Sequence, residues 1–377
     1  MVLTRREAGV VATAAALIFA RVFGLSVVLP GFREHGATLT DSSVLVGTAL
    51  GAYGLTLALM QLPLGALSDR IGRRPVLLLG TLLFVAGSAW AAVAGSIETL
   101  LAARLLQGAG AISSTAMALV GETVAPERRT TAMAFVGIPA GGGFMAGIIA
   151  APLLEPALGF RGLFWATAVL GLATALPLLW PRRASEATDE AAATPSPSSA
   201  PAEPGRAVSR PVLALAAAGF VSNYALTTTL FFLPDTSWQV LVPGLLVAVL
   251  VMGGASRAID RAGFTWQPIA IGLPLLAAAG AFHVLSPWLI LGAALFFSVH
   301  ATLSAVLPSQ VSRVAGRSGG RGHGVQNIVA YLGTFAAGPI AGAFASSPEA
   351  AYAVLGGLAL VVAMGLPGLM RGLPEAS

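Results

Sequence analysis

Charge is what this chain has least of. Only 10% of its 377 residues are charged, lysine is absent altogether, and so is cysteine. So little charge excludes an ordinary soluble domain, whose surface needs far more polar cover. The missing cysteines exclude disulfides and thiolate-ligated metals. Long alternating stretches are lacking too, which excludes a membrane barrel, because barrel strands change face every second residue. What fills the space is apolar: 56% of the residues are hydrophobic and the mean hydropathy is +0.83. In lipid every backbone polar group must be satisfied internally, so apolar runs of about 20 residues read as membrane-spanning helices.

Such runs fall at roughly 8–31, 43–66, 74–94, 98–122, 131–154 and 160–180, and again at roughly 211–233, 236–254, 265–284, 287–311, 323–346 and 350–371. The first follows Arg5 and Arg6 but is too long for a secretory signal, so it is expected to remain as a span. Between the sixth and seventh runs, 182–210 is rich in Ala, Pro, Ser and Glu and is expected to be a solvated linker. The expected organisation is a six-helix bundle over 1–181, a cytoplasmic linker over 182–210, and a second six-helix bundle over 211–377.

The arginines orient this layout. With a cytoplasmic N-terminus, all but Arg21, Arg33, Arg104 and Arg161 fall at cytoplasmic loops or ends, the bias expected of a multi-pass protein. They are dispersed along the chain rather than clustered on one face, so nucleic acid is not an expected partner. An internal repeat accompanies the two halves: Asp69-Arg70-Ile71-Gly72 follows the second run, and Asp260-Arg261-Ala262-Gly263 follows the eighth.

The most specific motif is Gly65-Ala66-Leu67-Ser68-Asp69-Arg70-Ile71-Gly72-Arg73-Arg74. It resembles the Gly-x-x-x-Asp-Arg-x-Gly-Arg-Arg/Lys loop of the major facilitator superfamily. In span four, Arg104-Leu105-Leu106-Gln107-Gly108 resembles the family's Arg-x-x-Gln-Gly pattern. Span five carries Gly137, Pro139, Gly141, Gly142, Gly143, Gly147 and Ala151-Pro152, a partial likeness to the antiporter signature. Further segments, such as Arg21-Val22-Phe23-Gly24-Leu25 and Leu307-Pro308-Ser309, are similar to the YajR-like drug-efflux group. The resemblance implies an all-α membrane protein of twelve helices in two six-helix bundles, working by alternating access. It also implies a conformational latch in which Gly65, Asp69, Arg70, Gly72 and Arg73 meet Glu122, at the cytoplasmic end of span four.

Candidates for the substrate or coupling site are the polar residues within spans: Arg21, Tyr53, Arg104, Gln107, Asn223, Tyr224, His300, Gln326, Asn327 and Tyr331. Intramembrane polar groups are costly, and so point to function or to a satisfied structural role. Arg21 stands about 20 Å into span one at ~1.5 Å per residue. Arg104 lies about 10 Å from the outer end of span four, at a similar depth in a core of about 30 Å. Two cations at one depth suit an anionic or amphiphilic ligand; the alternative is that protein carbonyls satisfy both. No Asp or Glu lies mid-span, and Ser304 stands where relatives carry Glu, so His300 is the titratable candidate for proton coupling.

The reading is a secondary transporter in the cell membrane, both termini cytoplasmic, exporting a small amphiphilic or drug-like solute and coupled to protons by kinship. A facilitator or importer of a small metabolite is the alternative, and a non-transporting sensor a more remote one. Its partners are that solute, protons and the bilayer. A monomer is expected; no enzyme activity, cofactor or metal is.

Overall fold

The computed structural model describes residues 3–179, 209–233, 238–261, 266–315 and 319–370. The expected linker lies outside the described residues apart from Ser209 and Arg210, as do Ala262 and Gly263 of the repeated loop. The described residues are helical with no strand, as the long apolar runs require: α1 (Arg5–Ser26), α2 (Phe32–Ala37), α3 (Ser43–Ile71), α4 (Arg73–Ala92), α5 (Ile97–Ala109), α6 (Ser113–Thr123) and α7 (Pro126–Leu179), then α8 (Arg210–Phe231), α9 (Trp238–Arg261), α10 (Gln267–Leu285), α11 (Leu289–Ala315), α12 (Gly319–Ala343) and α13 (Pro348–Met370).

Eight helical stretches are long and apolar enough to cross a membrane among the described residues. The remaining expected spans have local explanations. The fourth is divided into α5 and α6 by the non-helical Gly110–Ile112 segment. The fifth and sixth form one run, α7, interrupted at Gly159, whose φ of 68° is a left-handed value that only glycine adopts readily. α9 and α12 occupy the eighth and eleventh positions.

Helix ends are set by recognisable caps. Thr4 accepts from the Glu7 backbone N–H while the Glu7 carboxylate accepts from the Thr4 backbone, a capping box that starts α1. Ser96 and Thr99 start α5 in the same way. Gly72, with φ 93°, ends the passage from α3 to α4.

By packing, the chain resolves into two compact units. One comprises Met1–Val28 and Leu59–Ala202, the other Leu29–Ala58 and Glu203–Ser377. In the first, α1 lies against α7 and α6, and α4 against α5, α6 and α7. Its core joins Ala14, Leu17 and Ile18 to Ile112, Ala116, Leu119 and Val120. Backbones approach closely where side chains vanish. A Cβ on Gly147 would strike Ser26, and one on Gly87 would strike the Gln107 backbone. A Cβ on Gly110 would strike the Gly80 carbonyl, so the break in span four is seated on α4.

In the second unit α8 is central, packed by α10, α11, α12 and α13. Its apolar window is 72% buried, against 28% for α13, which turns Val361 and Met364 outward as a lipid-facing helix would. Gly333 of α12 meets the Phe220 carbonyl of α8. The first half of α3 belongs to this unit, with Gly47 and Gly338 placed backbone to backbone.

Candidate functional site

The loop motif builds one ionic cluster. Arg73, the first residue of α4, is brought back over the end of α3 by the Gly72 turn. Its guanidinium pairs with Asp69 and donates to the Ser68 hydroxyl. On its other side it forks onto Glu122 of α6, Nη2 to Oε1 at 2.7 Å and Nε to Oε1 at 3.1 Å. Planar bidentate geometry of this kind is what arginine offers and lysine cannot. The Arg73 side chain is only 12% exposed, although Asp69 is 62% exposed. One cation therefore ties together the ends of α3, α4 and α6. Arg70 is exposed and outside this cluster, and Gly65 has open space around its Cα rather than a close helix neighbour.

A second ionic cluster in the same unit was not singled out from the sequence. Glu7, 5% exposed, accepts from the Ala125 backbone N–H and from Arg128 Nη2, both at 3.0 Å. The start of α1 is thus fastened to the turn that leads into α7. The capping-box spacing Thr4-x-x-Glu7 was the available signal, but it does not disclose that the carboxylate's second oxygen faces a distant loop.

Arg21, Arg104 and Gln107 converge deeper in the first unit. Arg104 is fully buried and Arg21 is 3% exposed. Arg104 donates to Gln107 Oε1, Gln107 Nε2 donates to the Ser88 hydroxyl at 2.9 Å, and Ser88 donates to the Phe84 carbonyl at 2.7 Å. Arg21 donates to the Gly108 carbonyl at 3.3 Å, and its guanidinium lies 5.6 Å from the centre of the Phe84 ring. Gly108 sits in the last turn of α5, where carbonyls lose their intrahelical partners and the helix end attracts cations. Breaking span four therefore creates the acceptor that holds Arg21. Protein groups engage both arginines, and Ser88 is the member that sequence reading missed.

The remaining candidates lie in the second unit and are neutral. His300 of α11 is held from two sides: Ser222 Oγ of α8 is 3.1 Å from Nδ1, and Ser304 Oγ is 3.4 Å from Nε2. The ring stacks on Phe296. Tyr224 is buried and stacks on Phe220, while Asn223 beside it is half-buried. On α12, Gln326 is buried behind Gly219, Asn327 is exposed, and Tyr331 is half-buried with its carbonyl against Gly54. Tyr53 is half-buried on α3. Ser222 is the link sequence reading did not provide; Ser304, noted only as a departure from relatives, proves to be the other contact of His300.

Comparison with known proteins accords with this arrangement. The family model described as Major Facilitator Superfamily matches residues 11–338. The inner membrane transport protein YajR of Escherichia coli (strain K12) is 40% identical over 161 residues, 42% of this chain and 36% of that protein. The multidrug resistance protein MdtL of Shigella flexneri serotype 5b is 31% identical over 169 residues, 42% of this chain and 41% of that protein. The matched stretch thus spans well under half the length of these relatives. Among solved structures, a bacterial homologue of the human lysosomal transporter Spinster superposes with TM-score 0.71 at 14% identity, covering 97% of this chain and 96% of that one. The human organic anion transporter MFSD10 gives 0.63 at 21% identity, over 96% and 100%. The chain is an all-α, multi-pass membrane protein and belongs to the major facilitator superfamily.

Proposed function

We propose that the protein is a secondary active transporter that exports a small amphiphilic or drug-like solute by alternating access, from a cell membrane in which both termini are cytoplasmic. The observation that carries this reading is the Arg73 fork, joining Asp69 and Glu122 across three helix ends. A partly shielded ion pair can be broken and remade at modest cost, unlike a fully buried one. It is therefore suited to a latch that opens once per cycle. The name of one relative, a multidrug resistance protein, supports the efflux direction.

Coupling to protons is assigned to His300. It is the ionisable partner in the Ser222–His300 contact between α8 and α11, and hydroxyls rather than charged groups lie at both ring nitrogens. A neutral imidazole can alternate donor and acceptor between two such hydroxyls, and gaining a proton makes both nitrogens donors.

Purified protein in liposomes, loaded with a lipophilic dye and given a pH gradient, tests this reading. Dye flux that follows the gradient and is lost in Arg73→Ala supports it. Flux indifferent to the gradient removes the coupling step, and no flux of dyes of either charge sign removes the export reading.

A further inference from the structure

The first half of α3 and the helix before it border a half-open hollow of about 260 Å³ within the second unit, in which Arg33 and Asp41 are exposed. Arg33, Ala37, Thr40, Asp41, Ser43, Val46 and Phe231 line it. None of these belongs to the candidate transport residues. Its size lies just under the about 300 Å³ at which drug-sized pockets begin, so it suits a ligand of few atoms.

Arg33 is not a freely swinging surface cation. Its guanidinium lies 5.1 Å from the centre of the Phe231 ring and 5.9 Å from that of Phe232. Those rings are buried and packed edge to face on each other, and Phe232 leans on Tyr352, whose hydroxyl donates to Thr229 at 2.9 Å. The aromatic wall attracts the cation but offers no lone pair to its edge, where the N–H groups lie, so that edge is left for another acceptor. Among the described residues no hydrogen bond or carboxylate engages that edge.

Asp41 lines the same hollow, and it forms no ion pair with Arg33 or any other cation among the described residues. The N-cap of α3 is provided next door by Ser42, whose hydroxyl accepts from the Leu45 backbone N–H, so Asp41 is not used for capping. Two opposite charges thus share one small cavity without meeting. The space between them carries an apolar flank, Val46 and Phe231, and two hydroxyls, Thr40 and Ser43. A ligand with one charge would satisfy one side and leave the other facing a like or empty partner.

We propose that this hollow binds a small zwitterion, with a carboxylate or phosphate on Arg33 and an ammonium on Asp41. A free solute and an ammonium–phosphate lipid headgroup share this chemistry. The proposal is independent of the transport reading.

Binding to the full-length protein in phosphatidylglycerol nanodiscs tests it, with 4-aminobutanoate and phosphoethanolamine as probes. Pentanoate and butylammonium serve as single-charge controls. The zwitterions should bind about tenfold or more tightly than either control, since each charge-assisted contact contributes separately. Arg33→Gln and Asp41→Asn should each remove that advantage, whereas Arg73→Ala should leave it intact. Adding phosphatidylethanolamine to the discs assigns the source: competition with the soluble probes identifies the headgroup, and unchanged binding identifies a free solute. Controls that bind as well as the zwitterions, variants that bind normally, or no binding by either probe would overturn the proposal.

Discussion

The two units share their backbone contacts and differ in what they bury. Each rests a glycine of one long helix on a phenylalanine carbonyl of another. Gly143 approaches the Phe19 carbonyl and Gly147 that of Phe23 in the first unit, and Gly333 approaches that of Phe220 in the second. Yet the first unit encloses Arg21 and Arg104, and the second encloses His283, Tyr224, Gln326 and a run of threonines. Close helix packing is thus common to both halves, whereas among the described residues burial of permanent charge is local to one. For Arg21 the difference traces to the break in span four, where the last turn of α5 offers the Gly108 carbonyl. An interrupted helix exposes carbonyls that need a donor from outside the helix, and α11, the span-ten helix of the second unit, runs without interruption.

The largest effects should fall on what the units share. Gly147→Val and Gly333→Val each push a branched side chain into backbone, costing about 3 kcal/mol, at the upper end for overpacking. Thermal unfolding of the two purified variants should show comparable losses; a large loss in one alone would break the parallel. Next comes the contrast in buried charge. Arg104→Leu leaves the buried Gln107 carbonyl oxygen without its charged donor, a loss of about 2 kcal/mol, while Ser222→Ala in the second unit removes a neutral contact worth about 1 kcal/mol. Equal destabilisation in the same unfolding assay would mean that charge is not what distinguishes the interiors.

Arg73→Gln should alter stability by about 1 kcal/mol or less, because the pair is partly exposed. It should slow liposome flux by about tenfold, the effect of roughly 1.4 kcal/mol on a barrier. A flux loss matched by an equal loss of folded protein would make the cluster a brace rather than a latch. Smallest in stability is His300→Gln, whose amide can still reach Ser222 and Ser304. Unfolding should be nearly unchanged while the response of flux to a pH gradient disappears, and a retained response would move coupling elsewhere.

How much of this was legible beforehand varies with the range of the interaction. Helical spans follow from hydropathy alone, and the Asp69–Arg73 pairing is local, one helical turn apart across a glycine that permits the turn. Arg73 with Glu122 was readable only through the likeness to a family, since 49 positions separate them. The anchoring of Glu7 on Ala125 and Arg128 was not legible, because a capping box uses the same residue types and explains them without any distant partner. The split of span four was missed for a related reason. Gly108-Ala109-Gly110 reads as small-residue packing, and it is: Gly110 does pack, against Gly80, but that close approach coincides with the end of the helix. The grouping of Leu29–Ala58 with the second unit depends on tertiary contacts that a pattern along one chain does not record.

That same break bears on how the protein enters the bilayer. α5 has 13 residues and α6 has 11, giving rods of about 20 Å and about 16 Å at 1.5 Å per residue. Neither crosses a hydrocarbon core of about 30 Å alone. Both halves are expected to enter the bilayer together, with the non-helical Gly110–Ile112 segment sheltered. The shelter at hand is α4, the preceding segment in order of synthesis, whose Gly80 receives the break. Span four is therefore expected to depend on its predecessor for insertion, and a bulky residue at Gly80 is expected to act during biogenesis, before any transport cycle begins.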